Sequence, residues 1–169
     1  DVEGKLYVEM PLDLMGRDML IGSTISAITD NRFMGVGEKP RAPMQVTFEV
    51  DGKKVNMCKR RFDIVADGED MQESLRRNTV LGIMSSFDIK AYSPDSTAVV
   101  LDMSSFFLRN TPELNPFPAR SASDPMQVTS SFKNGLSSLE GIKAFDDNVS
   151  IRSRLSYSVS MKNAMKRIV

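Results

Sequence analysis

The chain has 169 residues, with 22 lysines and arginines against 22 aspartates and glutamates, one cysteine and no histidine. Balanced charge leaves no global field to draw nucleic acid or an anionic membrane, and a lone cysteine leaves neither an internal disulfide nor a thiolate zinc cluster. Without histidine there is no Ser-His-Asp or Cys-His nucleophile and no imidazole-bound zinc, so catalysis by this chain alone would fall to carboxylates, lysine or tyrosine.

The hydrophobic fraction of 41% is that of a globular protein, and no run of about 18 apolar residues predicts membrane insertion. The length suits one domain, 1–169, which we read as a fragment of a larger protein.

In chain order, Leu6, Val8 and Met10 alternate with Tyr7 and Glu9, predicting a strand that Pro11 ends. Residues 12–15 predict one helical turn, with Gly16 in the left-handed position after it. Alternation over 19–29 places Met19, Ile21, Ile25 and Ala27 on one face. A breaker-rich loop follows over 30–43, holding Gly35, Gly37, Pro40 and Pro43.

Residues 44–57 predict a hairpin with Asp51-Gly52 as a two-residue I′ turn. That turn sets Val50 opposite Lys53, Phe48 opposite Val55, Val46 opposite Met57 and Cys58 opposite Gln45. One face then collects Met44, Val46, Phe48, Val55 and Met57. The other pairs Glu49 with Lys54 and Thr47 with Asn56, and faces solvent.

Asp70-x-x-Glu73 reads as a capping box opening a helix over 71–77. Around 86–107 the pattern is strand, turn, strand and short helix. Phe87, Ile89 and Ala91 alternate with polar neighbours; Ser93-Pro94-Asp95-Ser96 is turn chemistry; residues 97–101 are apolar on both faces, as an interior strand would be. Asp102 is the expected N-cap of the helix carrying Phe106 and Phe107.

Residues 109–134 form an irregular excursion. Ser137-x-x-Glu140 predicts a second capped helix with Leu139, Ile142 and Phe145 on one stripe, broken by Asp146-Asp147-Asn148. Residues 149–161 predict one long strand with Arg152 and Arg154 among serines on its polar face, and 162–169 form a tail that ends the domain indistinctly. The fold class is therefore α+β, mainly β: an antiparallel sheet, curled or two-layered, of about six or more strands with two or three short helices.

None of the short motifs carries chemistry. Gly35-x-Gly37 starts like a phosphate loop, but Pro40 occupies the place of the third glycine, which leaves a surface loop. Asp67, Glu69 and Asp70 lack the glycine and terminal glutamate of a calcium loop. Lys53, Lys54, Lys59, Arg60 and Arg61 have no aromatic platform between them, so they read as a solvated hairpin edge rather than a nucleic-acid site. Cys58, exposed on the polar face without a neighbouring base, is no nucleophile.

Three stretches resemble a known family. Leu6-Tyr7-Val8-Glu9-Met10-Pro11, followed by Leu14-Met15-Gly16-Arg17-Asp18-Met19-Leu20, is similar to the opening of an uncharacterised domain. In a group of bacterial zinc-dependent metalloproteases that domain precedes the catalytic one. Ile89-Lys90-Ala91-Tyr92, Asp95-Ser96-Thr97-Ala98-Val99-Val100 and Asp102 before Phe106-Phe107 resemble its core. Ile142-Lys143-Ala144-Phe145 and Asn148-Val149-Ser150-Ile151-Arg152 resemble its closing elements. The resemblance implies a non-catalytic accessory domain of a secreted or periplasmic protein, packed on the protease domain of the same polypeptide and shaping its substrate cleft. Zinc would sit only on the H-E-x-x-H helix of that downstream domain, and no cofactor in this chain. The expected contact residues are Arg152 and Arg154, and the loop with Arg32, Gly35, Gly37 and Arg41 is the expected cleft border.

Two other classes fit the same residues. A free-standing β module could bind peptide or glycan on a curved face, although there is no tryptophan and only Tyr7 and Tyr92 point outward by alternation. A carboxylate-based hydrolase would need two acids about 5–10 Å apart in a cleft.

Overall fold

The computed structural model describes residues 3–31, 34–60, 68–78, 81–112, 114–117 and 128–161. Over the described residues the protein is mainly β, as its patterning predicts, with a curled six-stranded antiparallel sheet and two short helices. Two compact units divide the chain: 8–22 with 43–102, and 1–7 with 23–42 and 103–169.

The first unit holds the six-stranded sheet. Its strands are β1 (Tyr7–Pro11), β2 (Met19–Ile21), β3 (Met44–Asp51), β4 (Lys54–Lys59), β5 (Gly82–Tyr92) and β6 (Ala98–Asp102), in the order β1-β6-β5-β4-β3-β2. Leu12–Leu14 makes the expected single turn, of 3-10 type, and Gly16 follows at φ 74°. Strand β2 is much shorter than the alternation over 19–29 predicts. Beyond Gly22 the chain leaves the ladder, and Ile25 instead exchanges two backbone hydrogen bonds with the loop, its N–H to the Glu38 carbonyl and its carbonyl to the Gly37 N–H.

The β3–β4 hairpin keeps its predicted apolar face but not its register. Val50 pairs with Val55, Phe48 with Met57 and Thr47 with Cys58. The turn residues are therefore Gly52 and Lys53. Gly52 takes φ 58° while Lys53 stays out of the positive region, which matches the II′ preference for glycine at the first central position. Each cross-strand partner moves by two residues, so every side chain stays on its own face. Val46, Phe48, Val55 and Met57 are all buried. The opposite face is buried away from the turn as well, with Thr47 and Cys58 each only 2% exposed, while Glu49 and Lys54 near the turn are exposed. Burial holds the Cys58 thiol pKa above its ordinary value, and the Glu49 charge adds to this.

Strand β6 lies between β1 and β5, and Ala98, Val99 and Leu101 are buried. An interior strand covered on both faces is what its two-sided apolar run requires. The turn before it is organised by Asp95, whose carboxylate accepts the Ser93 hydroxyl at 2.6 Å, the Thr97 hydroxyl at 2.8 Å and the Thr97 N–H at 3.2 Å. These bonds hold its pKa down at about 2. The helix α1 (Glu69–Asn78) starts ahead of the predicted capping box, so Asp70 and Glu73 fall inside it.

The second unit contains α2 (Ser104–Phe107) and four strands: β7 (Val128–Phe132), β8 (Ser138–Ala144), β9 (Val149–Arg154) and β10 (Tyr157–Met161). Asp102 does not cap α2. It completes β6, and Met103 takes the N-cap position with no side-chain cap. The Ser104 hydroxyl accepts the Leu6 N–H at 2.9 Å, and the Leu6 carbonyl accepts the Met103 N–H at 2.9 Å. Leu6, Met103 and Phe106 are buried here.

The predicted helix over 137–145 is a strand. Ser137 does not cap a helix: its hydroxyl donates to the Lys133 carbonyl and accepts the Ser156 N–H. The predicted single strand over 149–161 is two. Ser156 sits at the break, its N–H on Ser137, its hydroxyl on the Leu136 carbonyl and its carbonyl on the Lys133 N–H. Those bonds take it out of any ladder. β9 consequently pairs with β8 and β10 with β7, both antiparallel, as two separate two-stranded sheets.

Candidate functional site

The β8–β9 hairpin presents the site. Its turn closes through the Phe145 N–H on the Asn148 carbonyl at 2.8 Å. Ala144 pairs with Val149, Lys143 with Ser150, Ile142 with Ile151 and Gly141 with Arg152. A bulge at Glu140 then returns Leu139 to the face of Ile142, opposite Ser153. One face is therefore Leu139, Ile142, Ala144, Val149 and Ile151. The other is Lys143, Ser150, Arg152 and Arg154.

Both faces meet solvent. Val149 is 55% exposed, Ile142 37% and the neighbouring Phe145 57%, and Leu136 at the hairpin base is 70% exposed. Arg152 and Arg154 are exposed on one face, as alternation predicts, and Arg154 forms an ion pair with Glu140. Alternation places Val149 and Ile151 opposite the arginines, and the part that sequence reasoning misses is the β8 half of this face. Leu139, Ile142 and Phe145 also fit a helical stripe, whereas Gly141 and the Asp146-Asp147-Asn148 turn between two apolar runs are the signals for a hairpin.

The glycine loop belongs to the same unit but is not a phosphate cradle. The Gly37 N–H donates to Ile25 and the Glu38 N–H to the Gly35 carbonyl at 3.2 Å, so two of the amides that would wrap an anion are engaged. Gly37 adopts φ 91°, which suits glycine. Arg41 is half-buried, and its Nε has no hydrogen-bond partner among the described atoms. Arg32, Arg61 and Asp67 lie outside the described residues. No group of three or more histidine, cysteine, aspartate or glutamate side chains is placed to hold a metal among the described residues. Cys58 is buried opposite Thr47, not exposed opposite Gln45.

The aromatic side chains of the β7–β10 pair contact one another. Tyr157 meets Phe117 and Phe132 edge-on at centroid distances of 5.1 and 5.3 Å, and its hydroxyl donates to Asn110. Burial raises the Tyr157 pKa. These rings form a small core rather than a flat stacking platform. Lys54 of β4 approaches Asp88, and Arg60, just beyond the strand, donates to Asp18 at 2.7 Å, which lowers the Asp18 pKa.

Residues 37–168 match the family model described as a domain of unknown function, DUF5117. The chain belongs to the DUF5117 family. The matched span takes in Gly37, Arg41 and every strand from β3 to β10, and leaves β1 and β2 outside. No curated protein and no solved structure matches the chain. No DUF5117 helix among the described residues is long and apolar enough to cross a membrane, a statement that does not extend to strands.

Proposed function

We propose that this DUF5117 domain is a non-catalytic accessory domain of a secreted or periplasmic bacterial zinc-dependent metalloprotease. It packs on the protease domain of the same polypeptide and borders its substrate cleft. The observation that carries the reading is the apolar face of the β8–β9 hairpin, on which Ile142 and Val149 are open to solvent while Leu139 and Ile151 are half-buried. A two-stranded ribbon is marginal alone in water, and a clustered apolar face on a stable protein marks a surface that another surface covers. The resemblance of the opening, core and closing stretches to the domain that precedes such proteases supplies the partner. Arg152 and Arg154 would supply the polar contacts, and the loop with Arg32, Gly35, Gly37 and Arg41 the cleft border. Zinc would be held by the protease domain alone.

The test begins with the coding sequence that flanks this segment. An H-E-x-x-H helix encoded there supports the reading. That region, purified and titrated against this chain, should raise its melting temperature, since a partner that binds only the folded state stabilises it. A flanking sequence without the motif, or a protease region that causes no shift, rejects it.

A further inference from the structure

Among the described residues, β9 is the longest edge strand free of both a bulge and a proline. β1 ends in Pro11, β2 has three residues, β8 carries a bulge and Lys143, and β7 and β10 have five residues each. Proline, bulges, lysine and shortness are the devices that keep sheet edges from pairing. β9 has six residues, Val149–Arg154, with no proline, bulge or lysine, and its only edge charges are Arg152 and Arg154. Among the described residues its only strand partner is β8, so the backbone groups on its far side have no ladder partner there. Its side chains alternate cleanly. Val149 and Ile151 point to the apolar face, and Ser150, Arg152 and Arg154 to the polar one.

We infer that β9 is a β-augmentation edge, to which a partner adds an extended segment of alternating apolar and acidic residues. An added strand gains main-chain hydrogen bonds along the edge, and alternate side chains set its specificity. On one face its apolar residues would extend the layer of Ile142, Val149 and Ile151. On the other an acid would meet Arg152, which pairs across β8 with a glycine and forms no ion pair among the described residues. Arg154, already paired with Glu140, would contribute less. A basic segment would place like charges side by side. The inference does not depend on a protease being the partner.

The probe is a labelled synthetic peptide alternating valine and glutamate, compared with one alternating valine and lysine and with a composition-matched scramble. Fluorescence anisotropy gives the affinity, and amide hydrogen exchange of the bound chain gives the location. The expected result is that only the valine–glutamate peptide binds and that it protects alternate β9 amides. Arg152→Glu should weaken it about threefold to fivefold, as suits one cross-strand charge pair. Arg152→Glu with Arg154→Glu should shift the preference toward the valine–lysine peptide. These exposed positions leave the core untouched, and circular dichroism confirms folding. Equal binding of both charged peptides, binding without β9 protection, or no binding by the folded wild-type chain would each overturn the inference.

Discussion

Val99 and Val149 are the same residue in the same kind of strand, yet one is fully buried and the other 55% exposed. The β5–β6 hairpin and the β8–β9 hairpin are each two antiparallel strands joined by a short polar turn. The difference is the company they keep. β6 has a strand on either side and two covered faces, whereas β9 has one strand neighbour among the described residues, one exposed face and one only half-covered. Alternation alone therefore decides which side chains share a face, and the neighbours decide what each face is worth.

The comparison breaks most sharply under core truncation. Leu101→Ala should cost about 2–5 kcal/mol, because the fully buried side chain leaves a cavity. Ile142→Ser in β8 should stay within about 0.5 kcal/mol, as exposed substitutions do. Urea unfolding of both variants measures the contrast, and similar losses would show the hairpin to be as well packed as the sheet. Ser137→Ala should fall between them, at about 1 kcal/mol, since the hydroxyl serves both Lys133 and Ser156. Native-state hydrogen exchange should place the amides of β6 near the global unfolding free energy and those of β9 well below it.

Two smaller effects depend on pH. Asp95 has a folded pKa of about 2 against an ordinary value of 3.8. Its contribution is fully present above the ordinary value and is lost as pH falls through about 2. Asp95→Asn should flatten that part of the acid-unfolding curve followed by circular dichroism. Cys58 has the opposite sign. Its folded pKa is raised, so its contribution is present below the ordinary thiol range and declines as pH rises through the folded value. A thiol reagent should label it only when the sheet opens, and Cys58→Ser should remove its share of the alkaline loss.

Much of the sheet was legible because side-chain period survives errors of pairing. The β3–β4 register predicted from Asp51-Gly52 is off by two residues, yet Met44, Val46, Phe48, Val55 and Met57 share a buried face as expected. What local patterning could not show was partner choice. Ser137-x-x-Glu140 has the spacing of a capping box, but Ser137 is held by Lys133 and Ser156 through bonds between separate stretches of chain. The same bonds split the run 149–161, whose alternation continues across Leu155 and Ser156 without any local sign of a break. The hidden burial of Thr47 and Cys58 is a third case, because a mildly polar face reads as wet until something lies over it. Of the candidate site, the arginine row and the Val149–Ile151 face opposite it were legible, and the pairing with β8 that adds Leu139 and Ile142 to that face was not.

The sheet order has a consequence for how the chain acquires its shape. β1 lies at residues 7–11 and its neighbour β6 at 98–102, so this seam joins positions far apart in sequence. A contact of that span demands a large loop closure and slows folding relative to hairpins made of adjacent strands. During synthesis the opening segment must wait, unpaired, until β6 has emerged. A fragment cut to the matched span at Gly37 would never supply it. It would leave β6, apolar on both faces, as a naked rim, open to misassembly between chains.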